Sequence, residues 1–202
     1  MVAITLLILL AASVSQAAVI IREPVPQSVG ADGGDASSTK PTILTDLKSI
    51  DADVEATTQK IEEFQGNSPK AILPVVVARN HLDHTIQQAI GHASFYDKLS
   101  DADATTGVNF LTGTLEPSIA AHIKALEEKK PIFVVAKSTN TIALSLTDLK
   151  KELDNLFDAL KSDFPDSQQQ AYQDAAKKID DDVQEGITSF GGSTAGAPGG
   201  RK

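Results

Sequence analysis

Four histidines and a run of three aspartates carry most of the reactive chemistry this chain could offer. His81, Asp83 and His84 lie together with His92 nearby, a grouping that invites a metal-ligand reading. On a helix turning about 100° per residue, however, His81 and His92 project almost opposite the Ile72/Ile86/Ile90 stripe and stand about 16 Å apart along the axis. His84 is rotated roughly 60° from His81, so three ligands do not converge as a tetrahedral zinc site requires. The expectation is a solvated helix face without metal. Asp180-Asp181-Asp182 lacks the alternating oxygen ligands and the glycine turn of a calcium loop, and it falls in a helical pattern, so it reads as a solvated charge run. Ser-His-Asp catalysis usually comes with a strand-turn-helix elbow such as Gly-x-Ser-x-Gly, which this sequence lacks. Gly191-Gly192 and Gly199-Gly200 follow the last helical pattern instead of opening one, so they cradle no phosphate. The carboxylates have no aromatic, sugar-binding setting, and Trp is absent altogether. The chain reads as non-enzymatic and calls for no cofactor.

Composition narrows the setting. The apolar run from Val2 through Val14, followed by Ser15-Gln16-Ala17, reads as a secretory signal over 1–17, too short and too interrupted for a membrane anchor. The mature protein is expected to be secreted, extracellular or wall-associated, with no transmembrane segment. Cysteine is absent, which excludes disulfides and thiol catalysis and leaves packing as the source of stability. A net charge of −9 and a pI near 4.8 argue against nucleic acid and against anionic lipid headgroups as partners. Residues 18–41 hold Pro24, Pro26, Gly30, Gly33, Gly34 and Pro41 without helical spacing and read as a disordered leader; 191–202 read as a disordered Gly-rich tail. Ser37-Ser38-Thr39 and Ser193-Thr194 are candidate O-glycan acceptors, and an unmodified flexible linker is the plainer alternative.

Between those segments, 42–190 form the ordered domain. Ile43, Leu47, Ile50, Val54, Thr57, Ile61 and Phe64 step by four and three, and the same beat returns at Ile142, Leu146, Leu149, Leu153, Leu156 and Leu160. The spacing predicts a first helix over about 42–65 with Gly66 as a left-handed cap, and a second over about 69–98 with Pro74 tolerated in its opening turn. Ser100-Asp101-Ala102-Asp103 is the N-cap candidate for a third helix, which Pro117 should kink or split. Pro131 is expected to start a fourth that runs to about Asp163, and a fifth covers 167–190. The fold class is all-α, an up-and-down bundle of about five amphipathic helices.

Two segments carry more apolar surface than one buried face needs. Ala71 to Ala78 and Pro131 to Ala136 are apolar on every side for about two turns. Both are expected at helix N-terminal ends. Either they lie deep in the bundle, or they form a cavity mouth or an exposed adsorption patch. The candidate lipid- or surface-binding residues are Ile72, Val75, Val76, Ile86 and Ile90 on the second helix, and Leu115, Ile119 and Ile123 on the third. Phe133, Val135, Leu149 and Leu153 on the fourth complete the set.

The order of these features resembles the fungal hydrophobic surface-binding protein A family, which includes the antigenic cell-wall galactomannoproteins. The resemblance spans about 42–190. It rests on a first helix ending in Phe64-Gln65-Gly66, on Leu115-Glu116-Pro117 leading through Ile123 and Leu126 to Lys129-Lys130-Pro131, and on Leu146 to Leu160 ending before Pro165. It implies a secreted or wall-associated, non-enzymatic helical protein that adsorbs to hydrophobic surfaces. It also implies that the protein can help a cutinase-like, polyester-degrading hydrolase reach solid substrate, and that a fatty acid can lie between the helices, as in some relatives. The tail shows no hydrophobic C-terminal segment for a glycolipid anchor and no long Ser/Thr-rich stalk. The competing expectation is a passive, glycosylated wall mannoprotein whose helices only fold on each other.

Overall fold

A computed structural model of the protein describes residues 42–66 and 69–192; the segments read as a signal sequence and a leader, and nearly all of the tail, lie outside them. The described residues form helices and no strand: α1 (Ile43–Glu63), α2 (Leu73–Ala93), α3 (Asp101–Phe110), α4 (Glu116–Val135), α5 (Thr139–Leu160) and α6 (Gln169–Ser189). A π turn, Leu111–Leu115, joins α3 and α4 into one rod, so five rods build the bundle. Short 3-10 turns, Pro69–Ile72 and Lys161–Asp163, lead into α2 and out of α5.

The helix starts follow local chemistry. Thr42 caps α1 by accepting from the Thr45 backbone N–H at 3.2 Å, and Ser100 does the same for Asp103 at 3.2 Å. Gly66 is left-handed at φ 66°, as expected, although it lies two residues beyond the Phe64 cap; a Cβ there would collide with Ile132. The second helix ends at Ala93, short of the expected 98, because the chain is drawn away by two anchors. The Tyr96 hydroxyl donates to Asp46 of α1, and the Leu99 N–H donates to the Asp163 carbonyl at 2.8 Å. Pro117 is absorbed without a break. The π turn ahead of it lets the Glu116 N–H reach back five residues to the Leu111 carbonyl, so the proline ring enters in the first turn of α4.

Pro131 does not start a helix. It lies inside α4 on an exposed position, and the break comes later, at Ala136–Ser138, with Lys137 at φ 54°. A proline inside a helix removes one hydrogen bond and crowds the preceding turn. Here Phe133, two residues on, is 1% exposed and stacks on Phe64 at 5.5 Å, with Phe190 edge-on at 6.2 Å, so core packing carries α4 past the defect. As a result, Pro131 to Ala136 sits at a helix C-terminus, not at the N-terminal end expected from the sequence.

Neighbour relations close the rods into a ring: α1 touches α2 and α4, α5 touches α2 and α6, and α6 touches α4. Contacts fix the directions. Asp46 meets His92 and Asp53 meets His81, so α1 and α2 are antiparallel; Thr58 meets His122 and Gly66 approaches Ile132, so α1 and α4 are parallel. Glu116 meets Lys178 and Lys130 meets Ser189, so α6 is parallel to α4, whereas Lys150 with Asp180 and Phe157 with Tyr172 make α5 antiparallel to α6. The rods thus alternate up and down along the chain, while consecutive rods are not always neighbours in the ring. Aliphatic residues such as Ile50, Leu82, Ile86, Leu115, Ile119 and Leu149 fill the middle at 0–1% exposure, and aromatic clusters close both ends. Phe64, Phe133 and Phe190 form one, and Phe164 stacked on Tyr172 at 4.2 Å forms the other.

Candidate functional site

The polar residues that suggested chemistry serve to join helices. His81 Nδ1 lies 3.0 Å from Asp53 Oδ2, an oxygen that also accepts from the Thr85 hydroxyl at 2.6 Å. His92 Nδ1 lies 2.7 Å from Asp46 Oδ2, which the Tyr96 hydroxyl shares. Arg79 of α2 is held between Asp83, one turn on, and Glu152 of α5 at 3.1 Å. Burial pushes its guanidinium below the ordinary value, against the pull of Glu152. His84 is exposed and stands apart from these pairs. Asp180 and Asp181 pair with Lys150 and Lys177, and burial raises the carboxyl of Asp182, with Glu116 adding to the shift. Among the described residues, no group of three or more His, Cys, Asp or Glu could hold a metal ion.

The fourth histidine is different. His122 of α4 is 3% exposed, with Nδ1 3.1 Å from the Thr58 hydroxyl. The Thr58 hydroxyl hydrogen is engaged by the Val54 carbonyl at 2.8 Å, so the His122 Nδ1–H is the donor between them. Burial, with a smaller contribution from Arg79, pushes the imidazole down to about 4. It is a neutral core group at ordinary pH.

The apolar candidates divide by depth. Val75, Ile86, Leu115, Ile119, Ile123, Phe133, Leu149 and Leu153 are buried, Ile72 and Ile90 are half-buried, and Val76 and Val135 are exposed. The bundle is packed tightly around Ile123: a Cβ added at Gly186 of α6 would approach Ile123 to 2.9 Å and Leu146 to 3.2 Å. What the sequence did not separate is the set of large apolar side chains left in water. Leu73, Val76 and Val77 in the first turns of α2, Val134 and Val135 at the end of α4, and Leu144 near the start of α5 are all exposed. Because α2 and α5 run opposite to α1, α4 and α6, these positions share one end of the bundle. Phe95, in the turn after α2, is the seventh exposed large apolar residue among the described residues and lies at the opposite end. Leu144 had a signal in the sequence: it sits two residues from both Ile142 and Leu146, off the buried beat.

A groove of about 580 Å³ opens beside this end between α1 and α2, lined by Ala56, Leu73, Pro74, Val77 and Ala78, with Lys60 and His81 at its margins. A second groove, of about 590 Å³, runs between α1 and α4 and is more polar, with Glu55, Gln59, Glu62 and Ser118 in its walls. No helix among the described residues is long and apolar enough to cross a membrane.

Similarity to known proteins follows the same segments. The chain resembles the crystal structure of Afmp4p in complex with palmitic acid, at 29% identity and a TM-score of 0.69, covering 73% of this chain and 97% of that one. Ligand binding domain 2 of the Penicillium marneffei MP1 protein, complexed with multiple arachidonic acids, shares the fold at 18% identity and a TM-score of 0.64, covering 77% of this chain and 100% of that one. Ligand binding domain 1 of the same protein, complexed with arachidonic acids, does so at 16% identity and 0.63, covering 74% and 99%. No curated protein matches the chain significantly. The model of hydrophobic surface binding protein A matches residues 41–162, which run from the cap of α1 through the whole of α5, and the chain belongs to that family.

Proposed function

We propose that this protein binds hydrophobic surfaces and long aliphatic chains without catalysing a reaction, and that it does so with the apolar end of its bundle. The observation that carries the reading is the segregation of exposed large apolar residues, six of the seven among the described residues at one end. Scattered single exposures would need no explanation, whereas a group rimmed by polar helices marks a contact surface. Val76 and Val135, with Leu73, Val77, Val134 and Leu144, are the contact residues in this reading. Ile72 is half-covered beside them, whereas Ile90 lies towards the far end of α2, and the buried members of the candidate set, from Val75 to Leu153, belong to the core along the length of the bundle. Family membership and the likeness to a palmitic acid complex support an aliphatic ligand.

The physical mechanism is removal of apolar area from water. The exposed fractions of Leu73, Val77, Val134, Val135 and Leu144 amount to about three fully exposed side chains, worth about 6 kcal/mol if all are covered. An adsorbed molecule would turn its far end to the solution. We extend the proposal to secretion or wall association, and to presentation of a solid polyester to a cutinase-like hydrolase through that outward face.

The double variant Val77→Asp/Val135→Asp tests the reading. Both positions are exposed, so the helical circular dichroism spectrum should be unchanged, while adsorption to an alkyl-coated quartz crystal and uptake of palmitate should fall about 100-fold. A folded variant that adsorbs and takes up palmitate like the wild type would overturn the proposal. Wild-type protein inert towards both would favour a passive wall component.

A further inference from the structure

Resting on that reading, we infer that the surface this protein prefers is an aliphatic layer that presents carboxylates, a fatty-acid layer and not bare hydrocarbon, and that Lys70, Lys129 and Lys137 recognise it. The net charge of −9 conceals an axial separation of charge. At the end opposite the apolar residues stand Asp46, Asp97, Asp101, Asp103, Asp163 and Asp166, against Lys48, Lys98 and Lys161. Around the apolar end stand Lys60, Lys70, Lys129, Lys130 and Lys137, against Glu62, Glu63, Glu127 and Glu128. An acidic chain has therefore left its apolar end close to neutral, with lysine the commonest charge there.

Pairing sharpens the contrast. Lys60 is engaged by Glu63 at 2.8 Å, and Lys130 donates to the Ser189 carbonyl at 2.7 Å while lying over the Phe190 ring. Glu128 faces Lys124 at 4.0 Å. Among the described residues, Lys70, Lys129 and Lys137 have no carboxylate partner. Two of them flank contact residues directly: Lys70 precedes Leu73 by one turn, and Lys137 follows Val135 in the exposed turn at the end of α4. Lys129 lies about 9 Å along the axis from Val135, and Glu127 and Glu128 lie just behind it, at about 10–12 Å. A lysine beside an exposed valine can lay its methylenes on the apolar surface and hold its ammonium at the rim. Such an arrangement gains nothing from uncharged hydrocarbon and gains attraction from an anionic interface.

Side-chain reach selects the headgroup. The contact residues are valines and leucines on helix ends and extend only a few ångströms. A phospholipid headgroup zone is about 5–7 Å deep on each face, enough to keep these side chains from the acyl tails. A bare carboxylate leaves the methylenes next to the charge, where short apolar side chains and lysines can be satisfied together.

Insertion into lipid monolayers at an air–water interface tests this, with stearic acid, methyl stearate and phosphatidylglycerol as the three films at neutral pH and low salt. Each unpaired lysine near an anionic surface contributes about fivefold, and the remaining glutamates oppose part of it, so the wild type should bind stearic acid at least about tenfold more tightly than methyl stearate. The preference should fade as salt is raised. The variant Lys70→Gln/Lys129→Gln/Lys137→Gln should lose the preference while still adsorbing to methyl stearate and keeping its helical spectrum. Equal wild-type binding to acid and ester, or a preference that survives in the triple variant, would overturn the inference and leave the adsorption reading standing. Binding to phosphatidylglycerol as tight as to stearic acid would overturn the choice of headgroup. A protein that enters none of the three films would overturn the adsorption reading itself.

Discussion

His122 should make this fold sensitive to mild acid. Its imidazole is 3% exposed and is pushed from an ordinary 6.5 down to about 4 by burial, with Arg79 adding to the shift. The unfolded chain therefore takes up the proton near pH 6.5, while the folded chain resists until about pH 4. The stability that depends on a neutral His122 is fully present above pH 6.5 and is lost as pH falls towards 4. Integrating between pH 7 and pH 5 gives a loss of about 2 kcal/mol. At typical urea slopes, that moves the unfolding midpoint by about 1 M. His122→Gln keeps a donor for the Thr58 hydroxyl and removes the titration, so its midpoint should not show this fall over the same interval. Asp154, Asp163 and Asp182 have carboxyls raised chiefly by burial, so they bind protons more readily in the folded state and favour it as pH falls. That opposite trend is common to wild type and variant and cancels in the difference. Urea denaturation followed by circular dichroism at pH 7 and pH 5 is the assay. If His122→Gln loses as much stability as the wild type, the titrating group lies elsewhere and the reasoning fails.

Two further outcomes follow from where α4 runs and what it packs against. Pro131→Ala should stabilise the protein by about 1–2 kcal/mol, because an exposed position inside α4 regains a backbone hydrogen bond; at a helix start the same change would bring no gain, and thermal melting distinguishes the two. Phe133→Ala should cost about 3–5 kcal/mol in urea unfolding, since it leaves a hole between Phe64 and Phe190, whereas a side chain lining a solvent-open slot would be lost at far smaller cost.

The two long stripes were legible because burial on one face repeats every 3.6 residues: Ile43 to Ile61 and Leu146 to Leu160 are buried in the positions their spacing dictates. Pro117 and Pro131 were harder. Whether a proline breaks a helix depends on what its neighbours can hold, and the π turn before Pro117 and the aromatic cluster around Phe133 exist only in three dimensions. The apolar segments were visible as runs of like residues, but their shared end required knowing that α4 finishes where α2 and α5 begin. The pairing of His81 with Asp53 and His92 with Asp46 depends on the register of α1 against α2, which no local pattern records. Charge is legible in the sequence only as a sum: the net −9 does not show that Lys70, Lys129 and Lys137 stand at the apolar end, which depends on the helix directions.

The ring order of the helices sets a sequence of events as the chain is made. The first five helices pair as α1 with α2, α1 with α4 and α2 with α5, leaving α4 and α5 as two flanks with little direct contact. Only α6 bridges them: it buries Tyr172, Ile179, Val183 and Ile187 in the core, and its Gly186 lies against Ile123 on one side and Leu146 on the other. Emerging at about 5–20 residues per second, the chain waits seconds for this last helix with an apolar seam open to water. The closing strut is the last of the bundle's helices to emerge, so the time for which the seam stays open is set by how fast translation reaches Gln169–Ser189.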